Sequence, residues 1–214
     1  MTTPQSSVTD VELFVDPACP WAWLTWRWMD EVERVRPVRM TTRLFCLAEI
    51  NRGREEGRLR DAHEAAERAL RVLVRARRAG GPRALAGVYE AVCEAHQERA
   101  EPLGDMGVLR AGLAAAGLDP ALAEDALADG TTRDELLEEH RAAVARGAFG
   151  VPTLCIDGGP GFFGPVVDVR VEAEEAGALW DHVAWLLRQG HVFEVKRQRT
   201  GNAQVGRYLA AQTS

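Results

Sequence analysis

The sequence predicts an α/β fold in which a helical block interrupts the part of the chain that forms a sheet. Three observations carry this. A strand-like, a helix-like and a second strand-like segment open the chain, Ala, Leu, Glu and Arg dominate a long middle stretch, and strand-like signal returns after Gly150. The 214 residues, 46% of them hydrophobic, suffice for one domain or one domain with a large insertion.

Each element has its own signal. Residues 11–15, Val-Glu-Leu-Phe-Val, read as a short strand, Asp16-Pro17-Ala18 turns the chain, and the apolar, aromatic run from Pro20 to about Val35 reads as a helix. Trp23 and Trp26, three apart, share one of its faces, expected to be a core face. Val38 to Cys46 is a second strand, so the opening is a strand-helix-strand unit that makes a parallel pair. Residues 51–60 form a charged, Gly-containing connection. From about Leu59 to Arg146 four or five helices follow, broken near Gly80-Gly81-Pro82, Glu101-Pro102, Leu118-Asp119-Pro120 and Gly130-Thr131. Thr131, ahead of Asp134-Glu135, is a helix start. Val151 to Ile156, a turn at residues 157–160 and Gly161 to Gly164 make a hairpin, and a closing helix runs from about Glu172 to Leu187. No internal repeat is present. The division expected is 8–50 and 148–200 as the two parts of the sheet-bearing domain, 51–147 as the inserted helical subdomain, and 201–214 as a mobile tail.

Composition excludes several classes of function. A net charge of -6 argues against nucleic-acid binding. No apolar run approaches a membrane span and the polar start, Met1 to Asp10, lacks a secretory stretch, so a cytoplasmic protein with no membrane partner is expected. Cys19, Cys46, Cys93 and Cys155 are scattered without metal-ligand spacing, and no metal site is expected. Cys46, Cys93 and Cys155 lie in apolar patterns that suit core packing; Cys155 is close in sequence to Pro152 and is the candidate stand-in for a second active sulfur. The stripe Arg68, Arg71, Arg75 and Arg78 reads as a solvated helix face paired with glutamates, or less simply as a surface for an acidic partner. The five histidines have no motif context.

Chemistry concentrates at Cys19-Pro20-Trp21-Ala22, which has the form of a Cys-x-x-Cys redox motif without its second cysteine. Pro20 suits a first helical turn and so places Cys19 at a helix N-terminus, where free N–H groups and the helix dipole stabilise an anion. The expectation is an acidified thiol: a fall from about 8.5 to about 6.5 corresponds to roughly 2.7 kcal/mol and makes the thiolate the major form. Position 22 lies one turn further on the same face, and Ala22 offers no sulfur to expel an adduct from Cys19.

The order of elements, with Asp16-Pro17-Ala18-Cys19-Pro20-Trp21, Gly150-Val151-Pro152-Thr153 and Phe162-Phe163-Gly164-Pro165-Val166, resembles the thioredoxin fold with an inserted helical subdomain found in DsbA-like proteins, over nearly the whole chain. It looks most like the cytosolic actinobacterial branch that includes mycothiol-dependent oxidoreductases. The resemblance implies a cis proline at Pro152 beside Cys19, a Val151 backbone that pairs with bound thiol or peptide, and an Asn51 that approaches the active site. Ala22 departs from the redox members, and the layout is also similar to kappa-class glutathione transferases and 2-hydroxychromene-2-carboxylate isomerases, which lack the second cysteine.

Two enzymatic functions follow. Cys19 thiolate adds reversibly to a conjugated unsaturated carbonyl or polyene and isomerises it cis-trans without net redox change, which the missing resolver favours narrowly. Alternatively, a monothiol oxidoreductase or thiol transferase uses mycothiol or a similar low-molecular-weight thiol. No cofactor is required by the first. Site candidates are Cys19 as nucleophile and Pro20, Trp21, Asn51, Val151 and Pro152 for substrate or thiol, with Trp21 as a wall for a flat, unsaturated small molecule, free or tethered to a carrier protein. A non-enzymatic reading, capture of partners without release, rests on the same Ala22.

Overall fold

The computed structural model describes residues 8–54 and 56–212. Most of the polar start (1–7), residue 55 of the charged connection and the final two residues of the tail lie outside the described residues. Four strands form one mixed sheet in the order β2-β1-β3-β4: β1 Thr9–Val15, β2 Val38–Leu44, β3 Thr153–Ile156 and β4 Phe162–Phe163. β1 and β2 are parallel, Thr9 opposite Val38 through Val15 opposite Leu44, as a crossover through α1 (Pro20–Val35) requires. β3 runs antiparallel to β1, and β4 antiparallel to β3. This is a thioredoxin fold with an inserted helical part.

The tryptophans of α1 fix that helix on both sides. Trp28 is fully buried, its Nε1–H donates to the Ala176 carbonyl at 3.1 Å, and its ring tilts against Trp180 of α7 (Ala173–Leu187). Trp23 and Trp26 are both buried and stacked at 5.7 Å, as their spacing predicted, and Trp26 Nε1–H donates to Thr42 Oγ1 on β2. Each indole therefore buries its large apolar area without leaving the N–H unpaired.

Between β2 and β3 lie α2 (Leu47–Ile50), α3 (Gly57–Cys93), a π turn (Glu94–Glu98), α4 (Met106–Ala115), α5 (Leu122–Ala128) and α6 (Gly130–Ala145). The predicted break at Gly80-Gly81-Pro82 is a kink within α3 rather than an end: Gly81 sits at φ 76°, which glycine adopts without penalty, and Pro82 restarts the helix. Thr131 is not the cap of α6; Asp129 is, accepting from the Thr131 N–H at 2.9 Å. Within the basic stripe, Arg71 donates to the Ala126, Leu127 and Asp129 carbonyls and Arg78 pairs with Asp129 and Glu135, while Arg68 is exposed. Glu139 joins the helices to the sheet by accepting the Leu44 N–H while paired with Arg43 and Arg77.

Part of the tail expected to be mobile is packed against the rest of the chain. Ala203 and Val205 are buried, and α8 (Gly206–Gln212) docks on the π turn, with the Gly206 N–H donating to Glu98 Oε2 at 2.9 Å. A side chain at position 206 would place its Cβ 2.2 Å from the Glu98 carbonyl oxygen, so only glycine permits this approach. The short pattern Ala-Gln-Val carries too little periodicity to announce a packed segment.

Candidate functional site

Cys19 stands where β1 ends and α1 begins, as its N-cap. Pro20 occupies the first helical turn, the Trp23 N–H closes onto the Cys19 carbonyl at 3.1 Å, and the Ala22 N–H points at Cys19 Sγ at 3.4 Å. Opposite it, the Val151–Pro152 bond is cis and the thiol donates to the Val151 carbonyl at 3.7 Å. The fold thus brings Cys19, Pro20, Trp21, Val151 and Pro152 together. Trp21 is half-buried, and the Arg199 guanidinium covers one face of its ring at 5.2 Å. Asn51 caps α2 through backbone hydrogen bonds to Leu47 and from Arg54, and no hydrogen bond joins it to Cys19 among the described residues.

The expected acidification of Cys19 is overturned. Its thiol is pushed up to about 11 from an ordinary value near 9. Burial is the main cause and the negative charge of Asp16 adds to it; the Ala22 and Trp21 amides and the Arg207 charge pull the other way without winning. The helix N-terminus is as the sequence placed it, but the helix-end effect is limited to a kcal/mol or so, roughly 2 at most, and desolvation exceeds it here. The hydrogen bonding agrees: a sulfur that receives one N–H and gives its own proton to a carbonyl is a thiol at rest.

Asp16 is the residue that sequence reasoning used only as a turn former. Its carboxylate is fully buried, accepts from the Ala18 and Leu47 N–H groups at 2.9 Å each, and is raised to about 6 by burial, those two amides and the charge of His63 opposing. It ties the Cys19 turn to the start of α2. The signal was there, since Asp followed by Pro two residues before an N-cap is Asx-turn chemistry.

The inserted helices form the back of the site. Tyr89, Cys93 and Gln97 recur at four-residue spacing along the end of α3 and the π turn. Tyr89 meets Trp23 edge-on at 6.2 Å, and Gln97 Nε2–H donates to the Pro17 carbonyl at 2.7 Å, so Cys93, buried between them, faces the turn that carries Cys19. Burial holds the Cys93 thiol far above its ordinary value, and the Cys19 charge acts on it. Cys155, the expected stand-in, is instead beside Glu12 and Arg146. All four cysteines are free. Phe149 and Phe163 stack at 5.0 Å, Phe149 largely exposed, and Phe163 pairs with Thr153, the residue after Pro152. Two surface cavities lie elsewhere, about 480 Å³ beside Arg75 and Asp129 and about 260 Å³ between α2 and α6. No helix among the described residues is long and apolar enough to cross a membrane.

Known proteins are similar to this chain in sequence and in fold. The family described as Rv2466c-like, after the mycothiol-dependent nitroreductase Rv2466c, matches residues 18–197. The uncharacterized protein Rv2286c of Mycobacterium tuberculosis is 32% identical over 196 residues, 90% of this chain and 84% of that one. Among solved structures, a 2-hydroxychromene-2-carboxylate isomerase superposes with a TM-score of 0.60 at 17% identity, over 84% of this chain and 97% of that one. The cytosolic disulfide reductase DsbM from Pseudomonas aeruginosa with GSH superposes with a TM-score of 0.53 at 15% identity, over 69% and 86%.

Proposed function

This chain belongs to the Rv2466c-like family of DsbA-like thioredoxin-fold proteins, and on that premise we propose that it is a cytoplasmic enzyme in which Cys19 isomerises a conjugated unsaturated carbonyl between cis and trans without net redox change. The observation that carries the reading is Ala22. It is fully buried one turn from Cys19, its amide is on the sulfur, and its methyl group cannot resolve a mixed disulfide.

The cycle must start from a protonated thiol. With Cys19 at about 11, the free thiolate at pH 7 lies roughly 5 kcal/mol uphill, four pH units at 1.36 each. That is affordable within a barrier that allows turnover on the second scale, which is about 17 kcal/mol. Both Asp16 carboxylate oxygens in the same turn are taken by amides, so the thiol proton is released to solvent. The sulfur bonds to the β-carbon and the π pair moves to the carbonyl oxygen as an enolate. Rotation about the former double bond follows; the enolate then collapses, the carbon–sulfur bond breaks and the proton returns to sulfur. The Phe149–Phe163 surface suits a flat, conjugated substrate, free or carried on a protein.

Membership in a family named for mycothiol dependence favours a second reading, reduction by a low-molecular-weight thiol that itself clears Cys19. Val151, Pro152 and Trp21 are the residues that would meet such a thiol, which would supply the external sulfur that position 22 lacks. The two readings separate in one experiment. Purified protein is incubated with conjugated aldehydes and acids of known geometry, with and without mycothiol, and both isomer ratio and thiol oxidation are followed. Isomerisation without thiol consumption, lost in Cys19→Ser, supports the first; thiol oxidation matched to product supports the second.

A further inference from the structure

The tail that the sequence gave no reason to pack carries an arginine into the site. Arg207 lies ten residues beyond the stretch matched by the family, on α8. Its Nη2–H donates to the Ala18 carbonyl at 3.4 Å, one residue before the nucleophile, and Nη1–H donates at 2.7 Å to His96 Nε2. For that nitrogen to accept, the His96 ring must be neutral with its proton on Nδ1, where the Glu101 carbonyl accepts at 2.8 Å. Tyr208 lies under the guanidinium, ring to Cζ 4.7 Å. Arg207 Nε is buried without a hydrogen-bond partner, and among the described residues no carboxylate pairs with Arg207. The Tyr208 hydroxyl also accepts from Nη2 at 3.2 Å, and Cys19 and Cys93, which act on the guanidinium, are thiols at rest. A partly buried cation without a counter-charge is costly, and an anion entering beside it relieves that cost.

We propose that Arg207 makes the surroundings of Cys19 anion-receiving, so that the substrate carries a carboxylate or develops an oxyanion beside the carbon that sulfur attacks. The guanidinium then holds the charge the substrate brings or the addition creates, and positions the reacting carbon at the sulfur. This rests on the covalent reading of Cys19 but not on isomerisation as such, and its test uses no turnover. The α8 helix becomes a working part of the site, held there by the Gly206 contact with Glu98.

The probe is a pair of alkylating agents that attack the same thiolate, anionic iodoacetate and neutral iodoacetamide. Their rate ratio at Cys19 cancels the ionised fraction and reads the local charge. In the native protein the ratio should exceed that of a free cysteine peptide; a ratio at or below the peptide's overturns the proposal whatever the variants do. Arg207→Met, which keeps bulk and removes charge, should lower the ratio roughly fivefold, and Arg207→Lys should restore most of it. An unchanged ratio in Arg207→Met, or an equal fall in both variants, overturns it as well.

Discussion

Raising the pH should switch on Cys19, and the site geometry says how steeply. An ordinary thiol near 9 is about 1% ionised at pH 7, whereas one at about 11 is about 0.01% ionised, a hundredfold difference in reactive form. Alkylation by iodoacetamide, quenched at intervals and read by intact mass and peptide mapping, measures it directly. Cys46, Cys93 and Cys155 are buried, so early label should be confined to Cys19. The rate constant should climb tenfold per pH unit from 7 to 10 without levelling. Circular dichroism at each pH confirms that the fold persists. A plateau below pH 9 would refute the reasoning, because it would mean that the helix-end amides outweigh burial. Asp16→Asn should shift the whole profile toward lower pH, since the charge it removes is one that raises the thiol.

Three further outcomes follow from contacts already described. Ala22→Cys should convert the site to a dithiol that loses two hydrogens on mild oxidation, visible by mass, and a variant that stays reduced would separate position 22 from Cys19. Gly206→Val should lift α8 off the π turn, exposing the chain near residue 202 to protease and lowering the melting temperature by several degrees while the sheet stays folded. Global stability should be retained up to pH 9 and lost as pH rises through about 11 and about 12. Cys19 and Cys46 are acids whose folded values lie above the unfolded one, so the unfolded chain releases protons first; the combined effect is on the order of a few kcal/mol in urea unfolding.

The sheet, its helices and the Cys19 turn were legible because each rests on local chemistry: period-two apolar runs, Pro20 at a helix start, and glycine and proline breaks. The cis Val151–Pro152 bond was legible only through family resemblance, and the structure has it. Three things were not legible. Net thiol acidity depends on the balance of burial against local dipoles, and the turn and helix around Cys19 are packed by Tyr89 and Gln97, which approach from seventy or more residues away. Asn51 was placed by likeness, and its hydrogen bonds are those of a helix cap. The packing of Ala203 and Val205 depends on a surface made by the π turn, which leaves no periodic mark in the tail itself.

Glu98 binds three distant pieces at once, accepting from the Trp23 indole, from Arg170 and from the Gly206 amide. In a growing chain the guanidinium therefore emerges 189 positions after the turn it will touch. Until residue 207 has been synthesised and seated, the Ala18 carbonyl beside the sulfur lacks the guanidinium that donates to it in the finished fold.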